Sequence, residues 1–147
     1  MPPINEKRIN TYTLILLISD QNRKKLDLNV LWPAVVNSPC VWLAIPHRML
    51  TPRLDQPALR AIRMSGASLT EGIEKISIDG VSVPVFNLAK TIADCFKYRN
   101  KIGLDVALEA LHEGWRQRRV TMDELWHYAT IDRVANVMRP YMESLTA

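Results

Sequence analysis

The sequence predicts an α+β fold, a small sheet followed by a cluster of three to four helices. Two runs of alternating apolar residues flank Asp79-Gly80, a dipeptide suited to a two-residue hairpin turn because both central positions need positive φ. From Asn87 onward, apolar residues recur instead at the spacing of an amphipathic helix. Strands therefore come first and helices after, the order of an α+β chain. A chain of 147 residues, 48% hydrophobic and 23% charged, suits one domain with a single core.

Met1 to Asn10 is polar and carries Pro2-Pro3, so it reads as a loose end, with order beginning near Thr11. The apolar run Leu14 to Ile18 reads as a buried helix or strand. It is far shorter than the roughly 20 residues a bilayer span needs and has no signal-type cleavage site, so a cytoplasmic protein is expected. The charged stretch DQNRKKLD, Asp20 to Asp27, marks the edge of an N-terminal segment. Val41 to Ile45, β-branched and aromatic, reads as a buried strand that Pro46 ends. Pro52 and Pro57 bracket a loop, and Leu59 to Met64 then alternates as a strand expected to set its two arginines on one face.

Ser68 with Glu71 fits a capping box for a single helical turn that Gly72 ends. The hairpin spans about 74–86. Its turn fixes the register: Ile78 opposes Val81 and Ile76 opposes Val83 on one face, while Ser77 and Ser82 lie on the other. Pro84 cannot donate to a ladder, which places that point at an edge or facing away from its neighbour.

Asn87 can cap the first helix with its side-chain oxygen. Leu88, Ile92, Cys95 and Phe96 form the apolar stripe of that helix, flanked by Ala89 and Ala93, and this stripe is expected to cover the hairpin's apolar face. Lys90, Asp94 and Lys97 share the opposite face, which reads as solvated and supported by ion pairs worth about 0.2–0.5 kcal/mol each. After Arg99-Asn100-Lys101, Gly103 breaks the pattern, and Leu104, Leu108, Leu111 and Trp115 resume it. Thr121 with Glu124 makes a second capping box before Leu125 and Ala129. Val134, Met138, Tyr141 and Leu145 give a last stripe, with a kink or a break expected at Pro140.

Ala89-Lys90-Thr91 with Asp94-Cys95-Phe96, the following Lys97 to Ala110, Val41 to Pro46 upstream and Val137-Met138-Arg139-Pro140-Tyr141 downstream together resemble the C-terminal domain of the AbiEi-type antitoxins. These are bacterial transcriptional regulators of abortive-infection, type IV toxin-antitoxin systems that act in phage defence. The resemblance covers about residues 41–145. It implies a non-catalytic domain that represses its own operon and counteracts a nucleotidyltransferase-type toxin without a stable complex. In such regulators a winged helix-turn-helix precedes this domain and binds operator DNA. Residues 1–36 show no helix-turn-helix spacing and read as an N-terminal remnant or linker without a complete winged module, leaving 37–147 as the antitoxin-like domain.

No catalytic site is apparent. His47, His112 and His127 stand far apart, none with a second ligand at metal-binding spacing, and the five glycines form no phosphate cradle. Neither metal nor cofactor is expected. Cys40 and Cys95 lack CxxC spacing and read as reduced, buried thiols. A degenerate restriction-endonuclease-like nuclease is the enzymatic alternative, but it wants Glu-x-Lys on a strand, and Ile73 stands two residues before Lys75. Lys90 with Asp94 reads as an ordinary ion pair on a helix surface rather than a catalytic pair. A protein–protein interaction module docking through Val134, Met138 and Tyr141 is the other alternative.

The net charge of +4 and pI near 9.3 favour acidic partners only weakly, since residues 87–147 hold nine Lys/Arg against eight Asp/Glu. Two basic tips stand out as candidate contacts to operator DNA: Lys97, Arg99 and Lys101 around Tyr98, and Arg116, Arg118 and Arg119 after Trp115. The competing reading is local, because cations near a helix C-terminus complement its dipole by about 0.3–1 kcal/mol without any ligand.

Overall fold

Residues 15–17, 40–47, 58–78 and 81–147 are described by the computed structural model, and they fall in two compact units divided between Phe86 and Asn87. In the first unit, β1 (Ile15–Leu17), β2 (Cys40–Pro46), β3 (Ala58–Met64), α1 (Ala67–Thr70), β4 (Ile73–Ile78) and β5 (Val81–Phe86) follow in sequence. The strands form one five-stranded sheet in the order β3-β2-β1-β5-β4. β1 pairs in parallel with β2, and β2 with β3, while β5 runs antiparallel to both β1 and β4. The apolar run near residue 16 is thus the central strand of the sheet.

The β4–β5 register is the one the hairpin pattern predicts: Ile76 pairs with Val83, Ser77 with Ser82 and Ile78 with Val81. Pro84 pairs with Lys75 but does not lie on an edge strand, because β5 sits between β1 and β4. β1 meets β5 at a single pair, Leu16 with Val85. Leu43, Ala44 and Ile45 are buried in succession, which explains why β2 reads as a continuous apolar run rather than an alternating one. On β3, Ile62 and Met64 are buried and Arg63 is exposed, with its Nη1 donating to the carbonyls of Pro46 and His47 at 3.2 and 2.8 Å. With a period of two, positions 60 and 63 fall on opposite faces, so the two arginines do not share one.

α1 also departs from expectation at its start. Gly66, at φ 60, precedes the turn, and Ser68 is a buried residue inside it rather than its cap. The expected end holds, since Gly72 follows at φ 80.

The second unit contains α2 (Leu88–Lys97), the single turn α3 (Arg99–Ile102), α4 (Leu104–Arg116), α5 (Met122–Ile131) and α6 (Ala135–Leu145). Both predicted caps are present: Asn87 Oδ1 accepts from the Lys90 N–H at 2.8 Å, and Thr121 Oγ1 from the Glu124 N–H at 3.2 Å. Asn87 Nδ2 also donates to the Tyr128 hydroxyl at 3.0 Å, tying the start of α2 to α5. α2 packs against each of the other four helices, and all of Ala89 to Phe96 is buried.

The buried face of α4 is Ala107, Ala110, Leu111 and Gly114, whereas Leu104, expected in the core, is 39% exposed. Small residues win this face because they let α2 approach. A Cβ on Gly114 would stand 3.1 Å from Ile92 Cδ1 and 3.4 Å from Leu88 Cδ2.

α6 is one helix, not two pieces, with Pro140 inside it. Proline removes one N–H from the ladder, and the carbonyl this would leave belongs to Asn136, an exposed residue where water can serve it. Met138 and Met142 are buried, Val134 is 5% exposed, and Tyr141 stacks on Phe96 at 5.7 Å between centroids. Of the residues considered for docking a partner, Val134 and Met138 are therefore core and Tyr141 is half-buried.

The expectations for Met1 to Asn10, Asp20 to Asp27, the loop between Pro52 and Pro57 and the Asp79-Gly80 turn lie outside the described residues, as does the side chain of Cys40. Among the described residues, no helix is long and apolar enough to cross a membrane.

Candidate functional site

The two basic tips occupy opposite ends of α4. Lys101 precedes its first residue and Arg116 is its last, so the 13-residue helix holds them about 20 Å apart. At the first tip, Lys97 ends α2 with its ammonium 5.7 Å from the Tyr98 ring, Arg99 Nη1 donates to the Phe96 carbonyl at 2.9 Å, and Lys101 is exposed. Arg99 is thereby engaged in capping α2, as the dipole reading requires. Lys97 is half-buried, and Lys101 is the exposed cation of this tip.

At the second tip, Arg116 pairs with Glu113 on its own helix. Arg118 and Arg119 close α4 in a Schellman motif: the Arg118 N–H donates to the Trp115 carbonyl and the Arg119 N–H to the Gly114 carbonyl, both at 3.0 Å. The motif requires positive φ at Arg118, which has φ 56. The same motif recurs after α5, where Arg133 at φ 59 donates to Thr130 and Val134 to Ala129 at 3.1 and 2.8 Å. Glycine is the usual occupant of that position, since a Cβ there crowds the backbone. Arg118 and Arg133 are both exposed. Arg133 therefore belongs with the basic surface, although nothing in its immediate sequence marks it.

A third constellation lies in the interior. Lys90 and Asp94, expected on a solvated face, are 0% exposed, with Nζ to Oδ1 at 2.6 Å. The ion pair exists, but residues 89–96 of α2 are all buried, so it has no surface to lie on. Lys90 Nζ is also 3.7 Å from Oδ1 of Asp132, the C-cap of α5, itself 1% exposed. Among the described residues these three are the only buried charged groups.

Their surroundings shift what titrates nearby. Burial raises the Asp94 carboxyl well above its usual range, the neighbouring Asp132 carboxyl raises it further, and Lys90 opposes both. Burial, helped by the charge of Asp94, pushes the Cys95 thiol up to about 12, and burial with both aspartates pushes the Tyr98 hydroxyl up to about 12. Sequence reading missed the cluster because Asp132 is remote in the chain. The available signal was a helix with hardly any polar face beyond a single opposite-charge pair.

This arrangement can hold a proton and join helices. With all three side chains enclosed, no substrate atom can touch them in this conformation. Among the described residues, no three His, Cys, Asp or Glu gather to hold a metal ion. His112 and His127 are exposed and separate, the latter edge-on to Tyr128 at 4.9 Å. No known protein family, curated protein or solved structure matches the chain.

Proposed function

We propose that this chain is a non-catalytic antitoxin and transcriptional-regulator domain of a bacterial abortive-infection, type IV toxin-antitoxin system. It counteracts a nucleotidyltransferase-type toxin in the cytoplasm without forming a stable complex with it. The observation that carries this reading is the burial of Ala89-Lys90-Thr91 and Asp94-Cys95-Phe96, the residues on which the resemblance to AbiEi-type antitoxins is most specific. Their polar members are consumed in joining helices, which suits a signature that maintains a regulatory domain rather than a reaction centre.

Contact with operator DNA, where it occurs, falls to cations of the second unit: half-buried Lys97 and exposed Lys101 before α4, exposed Arg116 and Arg118 and half-buried Arg119 at its far end. Arg99, bonded to the Phe96 carbonyl, contributes position more than charge. Each phosphate neutralised makes binding steeper in salt.

Co-expression with the nucleotidyltransferase of the same operon tests the first part. Growth should be restored, and continued toxicity at confirmed expression of the full chain sinks antitoxicity. Gel shifts over a salt series test the second. Reversing Arg116, Arg118 and Arg119 to glutamate should weaken operator binding and flatten its salt slope by about one for each phosphate that is no longer neutralised. Unchanged affinity removes that tip from the interface.

A further inference from the structure

The join between α5 and α6 is an elbow, Asp132 to Val134, closed by the Schellman bonds from the Arg133 and Val134 N–H groups. Asp132 and Val134 are buried, and Arg133 between them is exposed. Asn136 and Arg139 follow at intervals of three, a spacing that makes helical side chains neighbours on one face, and both are exposed. Residues 133–142 hold two arginines and no acid. Glu143 stands one turn beyond Arg139, where an ion pair is within reach. Arg139 turns instead to Trp126 of α5, with its Cζ 5.1 Å from the ring centroid. Among the described residues, neither Arg133 nor Arg139 pairs with a carboxylate.

A guanidinium that stacks by its face keeps its donors free, because they lie in its plane, and the indole fixes that plane. Arg139 is thus a fork held in position without an acceptor of its own. Such a fork takes two oxygens of one anion. Carboxylate and phosphate both fit it, and the surroundings favour phosphate. A protein partner wants an apolar centre around its charged contacts, and the large apolar residue that is exposed among the described ones, Leu104, stands on α4. A nucleic-acid backbone instead wants successive donors, which Arg133, Asn136 and Arg139 supply.

Contacts inside the unit carry this face toward the first basic tip. Asn87 bonds Tyr128 and Lys90 lies 3.7 Å from Asp132, so α5 runs along α2 in the same sense and its elbow advances toward the C-terminal half of α2. Tyr141 on Phe96 holds α6 to that half as well. Lys97 and Lys101 follow there in the chain.

We propose that the α5–α6 elbow grips the phosphate backbone of duplex DNA, with Arg139 as a fork held by Trp126 and with Arg133 and Asn136 as flanking donors. This rests on the reading of the chain as an operator-binding regulator and adds a surface that the α4 tips do not include. Trp126 is half-buried and covered by Arg139, so it is a platform for the guanidinium and not for a base, which sets duplex above single strand. Contacts to phosphate position a protein without reading sequence. Their loss therefore weakens operator and unrelated duplex alike.

The test is fluorescence anisotropy of the full chain over a salt series, with a labelled duplex from immediately upstream of its own operon, a scrambled duplex and a single strand of equal length. Arg133→Gln and Arg139→Gln should each lower the salt slope by about one and weaken both duplexes about tenfold at about 0.1 M salt, the factor that one unit of slope carries down from about 1 M. Arg139→Lys and Trp126→Leu keep every charge. In them the slope should hold while affinity falls about two- to fivefold, through the lost fork or the lost platform. An unchanged slope in both glutamine variants overturns the elbow, while duplex binding by the unmodified chain leaves the DNA reading standing. Absence of duplex binding by the unmodified chain removes both. Tighter binding of the single strand, or full affinity in Arg139→Lys, overturns the held fork. If Trp126→Leu fails to fold, Arg139→Lys, a change at an exposed position, decides that point.

Discussion

Lys90→Met separates a buried charge cluster from a surface ion pair by the size of the loss. Methionine approximates the lysine stem in volume, so packing changes little and the ammonium is the main thing removed. Were the pair exposed, as its i,i+4 spacing suggests, the cost would be about 0.3–0.5 kcal/mol. In the structure, both partners are 0% exposed and Lys90 also lies 3.7 Å from Asp132. Removing one member of a buried pair typically costs about 3–5 kcal/mol because the other is left uncompensated. For a helical unit of this size, 1 kcal/mol moves Tm by about 4–8 °C, so a loss of at least about 12 °C is expected, or no cooperative transition at all.

Urea unfolding at pH 7 and again near pH 4 gives the comparison, with a constant slope confirming that only stability has changed. Burial already holds the Asp94 carboxyl well above its usual range, and Lys90 opposes that. Without Lys90 its folded ionisation rises further above the unfolded value, and the deficit should shrink as pH falls. A loss below about 1 kcal/mol at pH 7, or an equal loss at both pH values, refutes the buried cluster.

Three further outcomes follow from local geometry. Arg118→Gly and Arg133→Gly relieve positive φ at the two Schellman positions, and each should raise stability by about 0.5–1 kcal/mol in urea melts, while Arg118→Gly weakens operator binding if that tip contacts phosphate. Asn87→Ala loses the cap bond and the bond to Tyr128, so it should cost about 1–2 kcal/mol, whereas Thr121→Ala, which loses only a cap, should cost about 1 kcal/mol. Cys95, with its thiol pushed up to about 12 by burial, should resist thiol reagents at pH 8 and react no faster than the chain unfolds; rapid labelling of the folded protein contradicts its burial.

Features fixed by neighbours in sequence were readable from it. The hairpin register came through residue for residue because a period of two and a two-residue turn leave no freedom. The caps at Asn87 and Thr121 came through because each bond spans three residues. Features set by remote partners were not readable. The parallel pairing of β1 with β2 joins segments whose alignment no local pattern encodes. Periodicity marks faces on an isolated helix, but α2 meets four others and is buried from Ala89 to Phe96, so its polar face became an interior. On α4 the large residues make the stripe that periodicity marks, whereas close packing selected Ala107, Ala110 and Gly114.

The fate of α2 also bears on what a sequence resemblance can mean here. A lysine and an aspartate four apart look like chemistry when a motif is read as a string. Enclosed with Asp132, they look like the join on which the helical unit depends. A residue that cannot reach solvent cannot read DNA or touch a toxin, so the proposed operator contact draws on what α2 positions, the cations at the two ends of α4, and on Arg133 at the elbow. Arg133, exposed and the immediate neighbour of buried Asp132, is the surface residue closest in sequence to that interior cluster. Arg133→Gln therefore belongs in the same salt series as the α4 variants: a lower salt slope would add it to the proposed operator contact, and an unchanged slope would remove it.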